Sequence, residues 1–161
     1  MEYVALDAQV GDLSGVLDPT RYLELLPSIA DDLPPGAQAF AADADHYDFR
    51  SKRCVKDLEL QLVRGVDTGD DEVEIQLRHN CWKHDADLVI HYTGVSDVSV
   101  RTPEAEVEAD DWTNLGAVIL DEILPHKMGC GHELAFWNGT LTVICHDLLA
   151  TWTDVNCSPE S

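Results

Sequence analysis

Positive charge is what this chain has least of. Ten Lys and Arg stand against 31 Asp and Glu, a formal net charge of -21 over 161 residues. A surface of that sign repels phosphate backbones and anionic headgroups, so neither nucleic acid nor an anionic membrane is expected as a ligand. Long apolar runs are missing too, and no stretch approaches the ~20 residues that a membrane-spanning helix needs. Met1-Glu2-Tyr3-Val4-Ala5-Leu6-Asp7 has neither a basic n-region nor an apolar h-region, so the expectation is a cytoplasmic protein without a signal peptide.

Signatures of catalysis are equally scarce. The sequence holds no Gly-rich phosphate loop, G-x-S-x-G elbow, nucleotide fingerprint, C-x-x-C pair or H-E-x-x-H helix. Asp67-Thr68-Gly69 has the aspartic-protease triplet, but Asp70, Asp71 and Glu72 crowd it with charge where that chemistry needs an apolar loop. It reads as a solvated turn. The same run fails the D-x-[DN]-x-[DN]-G calcium pattern. Five cysteines at irregular spacing, an odd number, do not read as a disulfide framework. A domain of this length buries roughly 70% of its unfolded surface and needs no staples.

What is present is acid, spread along the chain rather than gathered in a tail. Asp18-Pro19 supplies a cap and a first-turn proline, and Tyr22, Leu23, Leu25, Leu26 and Ile29 then recur at helical spacing. Leu33-Pro34-Pro35-Gly36 ends that helix. Ala-rich sequence anchored by Phe40 predicts a second one over 37–44. The period then becomes two: Leu58, Leu60 and Leu62 alternate with Asp57, Glu59 and Gln61, and Val73, Ile75 and Leu77 with Glu72, Glu74, Gln76 and Arg78. The short Gly65 to Asp71 connection makes that pair antiparallel. Further strands are predicted over 87–92 and 95–101, then an acidic loop over 102–111. The run 116–124 suits either period and is assigned to a strand because its neighbours are strands.

Asn138-Gly139 sits between two alternating runs, as a two-residue type I′ hairpin requires. This register opposes Trp137 to Thr140, Phe136 to Leu141, Leu134 to Val143 and His132 to Cys145. Leu134, Phe136, Leu141 and Val143 then share the apolar face with His132, Cys145 and, if the strand extends so far, Cys130. Two thiols and an imidazole are zinc-type ligands, and His126 or His84 could supply a fourth. The competing reading is plain packing, with thiols as small hydrophobes and the imidazole bonded to backbone. Cys81-Trp82-Lys83-His84 carries a C-x-x-H spacing, with His79 close by, and reads equally as a loop anchored by Trp82.

The strings His46-Tyr47-Asp48-Phe49, Cys54-Val55-Lys56-Asp57-Leu58 and Arg78-His79-Asn80-Cys81-Trp82-Lys83-His84, followed by Asp87-Leu88-Val89-Ile90-His91-Tyr92, resemble small uncharacterised proteins of high-GC Gram-positive bacteria over residues 40–155. That resemblance implies no activity. More loosely, short helices, a β-meander and a final tight hairpin are similar in layout to immunity proteins that neutralise polymorphic toxins, which implies a binder and no catalytic residues.

The sequence therefore predicts one α+β domain over 1–161: two N-terminal helices within about 1–45, then a mainly antiparallel β-meander over about 53–153 that ends in a tight hairpin. Its expected function is non-enzymatic, an acidic binding or inhibitor protein of immunity type whose partner is a basic protein, such as a toxin with a basic nuclease cleft. Glu72, Glu74, Glu104, Glu106, Glu108, Asp110, Asp111 and Trp137 are the expected contacts, and no cofactor is expected. The rival is a zinc-binding domain or metal-dependent enzyme using Cys130, His132 and Cys145. A third reading makes the acidity environmental.

Overall fold

Alternation begins earlier than the sequence reading placed it. In the computed structural model, which describes residues 1–103 and 109–157, the chain opens with a hairpin of β1 (Ala5–Val10) and β2 (Leu13–Asp18). Gly11, at φ 59°, makes the turn between them. Asp18 then accepts the Thr20 N–H at 2.9 Å, satisfying a free donor where α1 (Thr20–Ile29) begins. Helix α2 (Pro35–Ala41) starts at the second proline of the predicted stop signal, because a first-turn position tolerates Pro. Its first free amides, Gly36 N and Ala37 N, are taken by the Asp147 carboxylate at 3.1 and 2.9 Å.

Eight strands follow: β3 (Glu59–Arg64), β4 (Val73–Arg78), β5 (Ala86–Thr93), β6 (Asp97–Arg101), β7 (Val118–His126), β8 (Gly129–Phe136), β9 (Gly139–Cys145) and β10 (Asp147–Asp154). The architecture is α+β and every strand pairing described is antiparallel, as predicted. The single meander is not found. The strands form two four-stranded sheets, ordered β10-β5-β4-β3 and β6-β9-β8-β7, beside the β1-β2 pair. A single open sheet would leave its apolar face to be covered by two short helices. Two sheets cover each other, and Ile75, Leu88 and Ile90 of the first join Ile123, Leu134 and Leu141 of the second in one core with Tyr22 and Phe40 of the helices.

Three backbone bonds sew the sheets together along one seam, from Asp57 N to Val118 O (2.9 Å), Val118 N to Leu58 O (2.7 Å) and Leu60 N to Gly116 O (3.1 Å). Asp57 reaches this seam at φ 74°, a left-handed conformation uncommon outside glycine. The segment assigned to a strand over 116–124 is strand from Val118 onward and runs on to His126, and β6 pairs with β9 in the second sheet. A disulfide between Cys81 and Cys157, with Cα atoms 5.7 Å apart, ties the end of the last strand to the β4-β5 connection; the sequence reading had foreseen no pairing.

The final hairpin forms where predicted, with a register two residues away from the one expected. Phe136 pairs Gly139, Leu134 pairs Leu141, His132 pairs Val143 and Cys130 pairs Cys145, so Trp137-Asn138 is the loop. Neither loop residue has the positive φ that a type I′ turn demands. Gly139 is needed instead for close approach: a Cβ there would lie 2.6 Å from Arg101 O and 2.7 Å from Leu115 Cδ2. A shift of two preserves the faces, and Leu134, Phe136, Leu141 and Val143 are all buried. Gly139→Ala should therefore destabilise the protein by about 2 kcal/mol through overpacking, measured by urea denaturation, whereas Asn138→Gly should change it by under about 0.5 kcal/mol. The reverse ranking would restore the primed turn.

Candidate functional site

Asp121-Glu122 is a doubly charged step inside an apolar strand, and both residues are buried. Strand β7 turns Asp121 toward the core and Glu122 toward the opposite face, where the N-terminal segment lies. There Glu122 accepts the amides of Glu2, Tyr3 and Val4 at 2.7 to 2.8 Å, and the Met1 ammonium meets Glu133 at 2.6 Å. Glu122 is thus a structural anchor for the chain's first residues.

Asp121 is the centre of a wholly enclosed polar chain. Its carboxylate lies 2.7 Å from His46 Nε2 and 2.7 Å from His132 Nε2. The other nitrogen of His132 meets the Tyr92 hydroxyl at 2.7 Å, and His46 Nδ1 meets the Phe40 carbonyl at 2.8 Å. The partners assign the protons. Both nitrogens of His46 face groups that only accept, so His46 is an imidazolium and forms a buried ion pair with Asp121. His132 bridges the two sheets, with Nε2 on the Asp121 carboxylate and Nδ1 on the Tyr92 hydroxyl, a group that can donate or accept. Burial alone would raise the Asp121 carboxyl; the His46 charge and the hydrogen bonds from both histidines outweigh it and hold the group far below the usual carboxylate range. Burial pushes the Tyr92 and Tyr47 hydroxyls upward, and Tyr47 donates to Asp121 O at 3.1 Å.

This network decides the place of the predicted metal ligands. Cys130 and Cys145 do face each other, with Sγ atoms 3.6 Å apart and both side chains buried. His132 shares their sheet face but is opposite Val143, and both its nitrogens are engaged by Asp121 and Tyr92. The Cys130, His132 and Cys145 donors do not converge; the one His/Cys/Asp/Glu group that does, among the described residues, is His79, Cys81 and Cys157. The hydrogen bond with Cys130, then burial, pushes the Cys145 thiol upward. His126 is exposed at the β7-β8 turn, where its Nδ1 accepts the Met128 amide. His84 turns inward to the carbonyls of Cys54 and Lys56, both at 3.0 Å, and burial lowers its pKa despite those bonds.

The predicted partner contacts are scattered. Trp137 is 70% exposed at the hairpin tip. Glu74 is occupied by Arg64 and Gln76, and Glu72 lies 3.5 Å from His91. Glu104, Glu106 and Glu108 lie outside the described residues; Asp110 and Asp111 fall in a 3-10 turn over Ala109–Leu115, with their side chains outside the description. The sequence reading missed Asp121 and His46 as a pair, although two adjacent acids in an otherwise apolar strand were the available signal. It also missed a surface recess of about 480 Å³ formed by Phe49, Arg50, Lys52, Lys56, Asp57, Trp82 and Lys83. No protein-family model matches the chain, and no curated protein matches it.

Removing the central carboxylate would strand a buried imidazolium, so Asp121→Asn should cost about 3 to 5 kcal/mol in urea denaturation. Tyr92→Phe, which removes only the outermost hydroxyl of the chain, should cost about 1 to 2 kcal/mol. Equal losses in the two variants would refute the central role of Asp121.

The pH dependence follows from the same groups. His84 is held below its unfolded value, so its folded state favours the neutral ring; that stability is full above about pH 6.5 and falls as the pH drops below it. Asp121 is likewise depressed, and its contribution is present above the unfolded value near pH 4 and lost as the pH falls further. Urea midpoints should accordingly decline in two stages on acidification. His84→Gln should flatten the upper stage and Asp121→Asn the lower, and a midpoint independent of pH in the wild type would contradict both assignments.

Proposed function

We propose that this is an acidic binding protein that acts through its surface on a basic protein partner, a toxin of the kind that immunity proteins neutralise being one instance. The observation that carries the reading is the division of charge. Lys52, Arg53, Lys56, Arg64, Arg78 and Lys83 are held in ion pairs, all on or beside the β10-β5-β4-β3 sheet. Residues 22–48 hold no Lys or Arg at all. There Glu24, Asp31, Asp32, Asp43, Asp45 and Asp48 are exposed, and none joins an ion pair among the described residues. Leu23, 40% exposed on α1, gives this acidic side an apolar point of contact.

Relative to the sequence reading, the contact surface moves from the strand faces to the helical segment, because the strand carboxylates Glu59 and Glu74 are already matched by Arg78 and Arg64. Unmatched surface charge works chiefly by steering encounter and excluding wrong partners, with packing around a few apolar anchors adding affinity. Trp137 is retained as a candidate anchor at the other end of the sheet.

Capture from the host with immobilised protein, at about 50 mM and about 500 mM salt, tests this directly, since screening shortens the reach of exposed charges below about 8 Å above physiological ionic strength. The expected partner is a basic protein that is released by high salt and not retained by the Asp31→Lys, Asp32→Lys, Asp43→Lys, Asp45→Lys variant. A partner held equally by that variant, or recovery of nucleic acid alone, would overturn the proposal.

A further inference from the structure

The disulfide is not alone where it sits. A ring nitrogen of His79 and the sulfurs of Cys81 and Cys157 lie within 4.8 Å of one another, at a site exposed on the Cys81 side and half-buried on the others. His79 is also oriented. Asp87 Oδ1 accepts its backbone N–H at 2.8 Å and its Nδ1–H at 2.6 Å, which leaves the lone pair on Nε2. A carboxylate holding one ring nitrogen while the other is kept free is the arrangement that metal-ligating histidines use, and it raises their basicity.

We propose that His79, Cys81 and Cys157 form a zinc site when the disulfide is reduced, so that one cluster alternates between a covalent and a metal clamp on the end of β10. The reductant is a small dithiol: the Cys81–Cys157 bond breaks, two electrons and two protons pass to the sulfurs, and the dithiol closes to its own disulfide. Zinc then takes both sulfurs as thiolates and the His79 lone pair, two protons leave to solvent, and water fills the fourth position. Tetrahedral zinc with bonds of ~2.3 Å holds its sulfurs about 3.8 Å apart, so the sulfurs need only separate within the span the cluster already occupies. Two thiolates and an imidazole suit zinc better than the harder oxygen-seeking cations.

The site differs from the sequence expectation in both parts. His79 replaces His84 beside Cys81, because His84 is drawn into the core by the carbonyls of Cys54 and Lys56. Cys157 comes from the far end of the chain, 76 residues away, carried there by the full-length pairing of β10 with β5 and by the bond from Val155 N to Asp85 O. The proposal is independent of the acidic binding surface.

Cobalt(II) titration of the full chain is the test, with the protein either oxidised or reduced by a dithiol that is then removed without air. Expected are the thiolate-to-cobalt absorption and tetrahedral visible bands at one equivalent in the reduced protein, bleached by zinc, and neither in the oxidised protein. Cys81→Ser should abolish the bands, Asp87→Asn should weaken binding about 10- to 100-fold, and the Cys130→Ser, Cys145→Ser double variant should leave the bands intact. Absence of thiolate bands in the reduced wild type would overturn the proposal whatever the variants do, as would bands that survive Cys81→Ser or vanish with Cys130 and Cys145.

Discussion

Asp121 holds three layers of the molecule at once. From one carboxylate in β7, the chain of hydrogen bonds reaches the segment after α2 through His46, the neighbouring strand through His132, and the opposite sheet through Tyr92. A buried charge is tolerable only when matched and fully bonded, which the His46 imidazolium and the second histidine provide. Because each member has its partner in a different element, the network is satisfied in one mutual placement of helices and sheets. Apolar contacts such as Ile90 and Leu134 supply burial but accept several packings. The polar chain selects among them.

Legibility in the sequence followed locality. Helix α1, strands β4 and β5 and the burial of the last hairpin were readable because each depends on residues a few positions apart: Tyr22 and Leu26 at helical spacing, Val73 to Leu77 in alternation. The β1-β2 hairpin was not readable, since Val10 and Leu13 are exposed and no clean apolar face marks its strands. The register of the last hairpin escaped for a different reason. Asn138-Gly139 carries a turn signal, yet Gly139 serves the approach of Arg101 and Leu115, and only tertiary structure shows which demand the glycine meets. The candidate sites split the same way. Cys130 and Cys145 do meet across the hairpin, whereas Cys157 meets Cys81 only through a strand order that no local pattern encodes.

Charge is distributed by use. Six of the ten Lys and Arg sit on or beside the first sheet, where they neutralise nearby carboxylates, as Arg64 does for Glu74. Each such exposed pair contributes little to stability, at most about 1 kcal/mol. Their larger effect is negative: they neutralise acid beside the first sheet and leave the carboxylates of residues 22–48 unmatched among the described residues. Lys56 and Lys83 both pair with Asp57, supporting its left-handed backbone at the seam.

That seam also governs how the protein meets copies of itself. Two separate four-stranded sheets would offer four open edges, each a row of unpaired backbone groups ready to add another strand. The bonds among Asp57, Leu58, Leu60, Gly116 and Val118 join the β3 edge to the β7 edge and take both partly out of circulation. Strand β10 carries α2 against its start, so closely that a side chain at Gly36 would overlap Leu148 O. Of those four edges, among the described residues, β6 is the one left uncovered, five residues long with Asp97 at one end and Arg101 at the other. A copy adding to β6 would meet the shortest of the described strands and a surface whose net charge repels it.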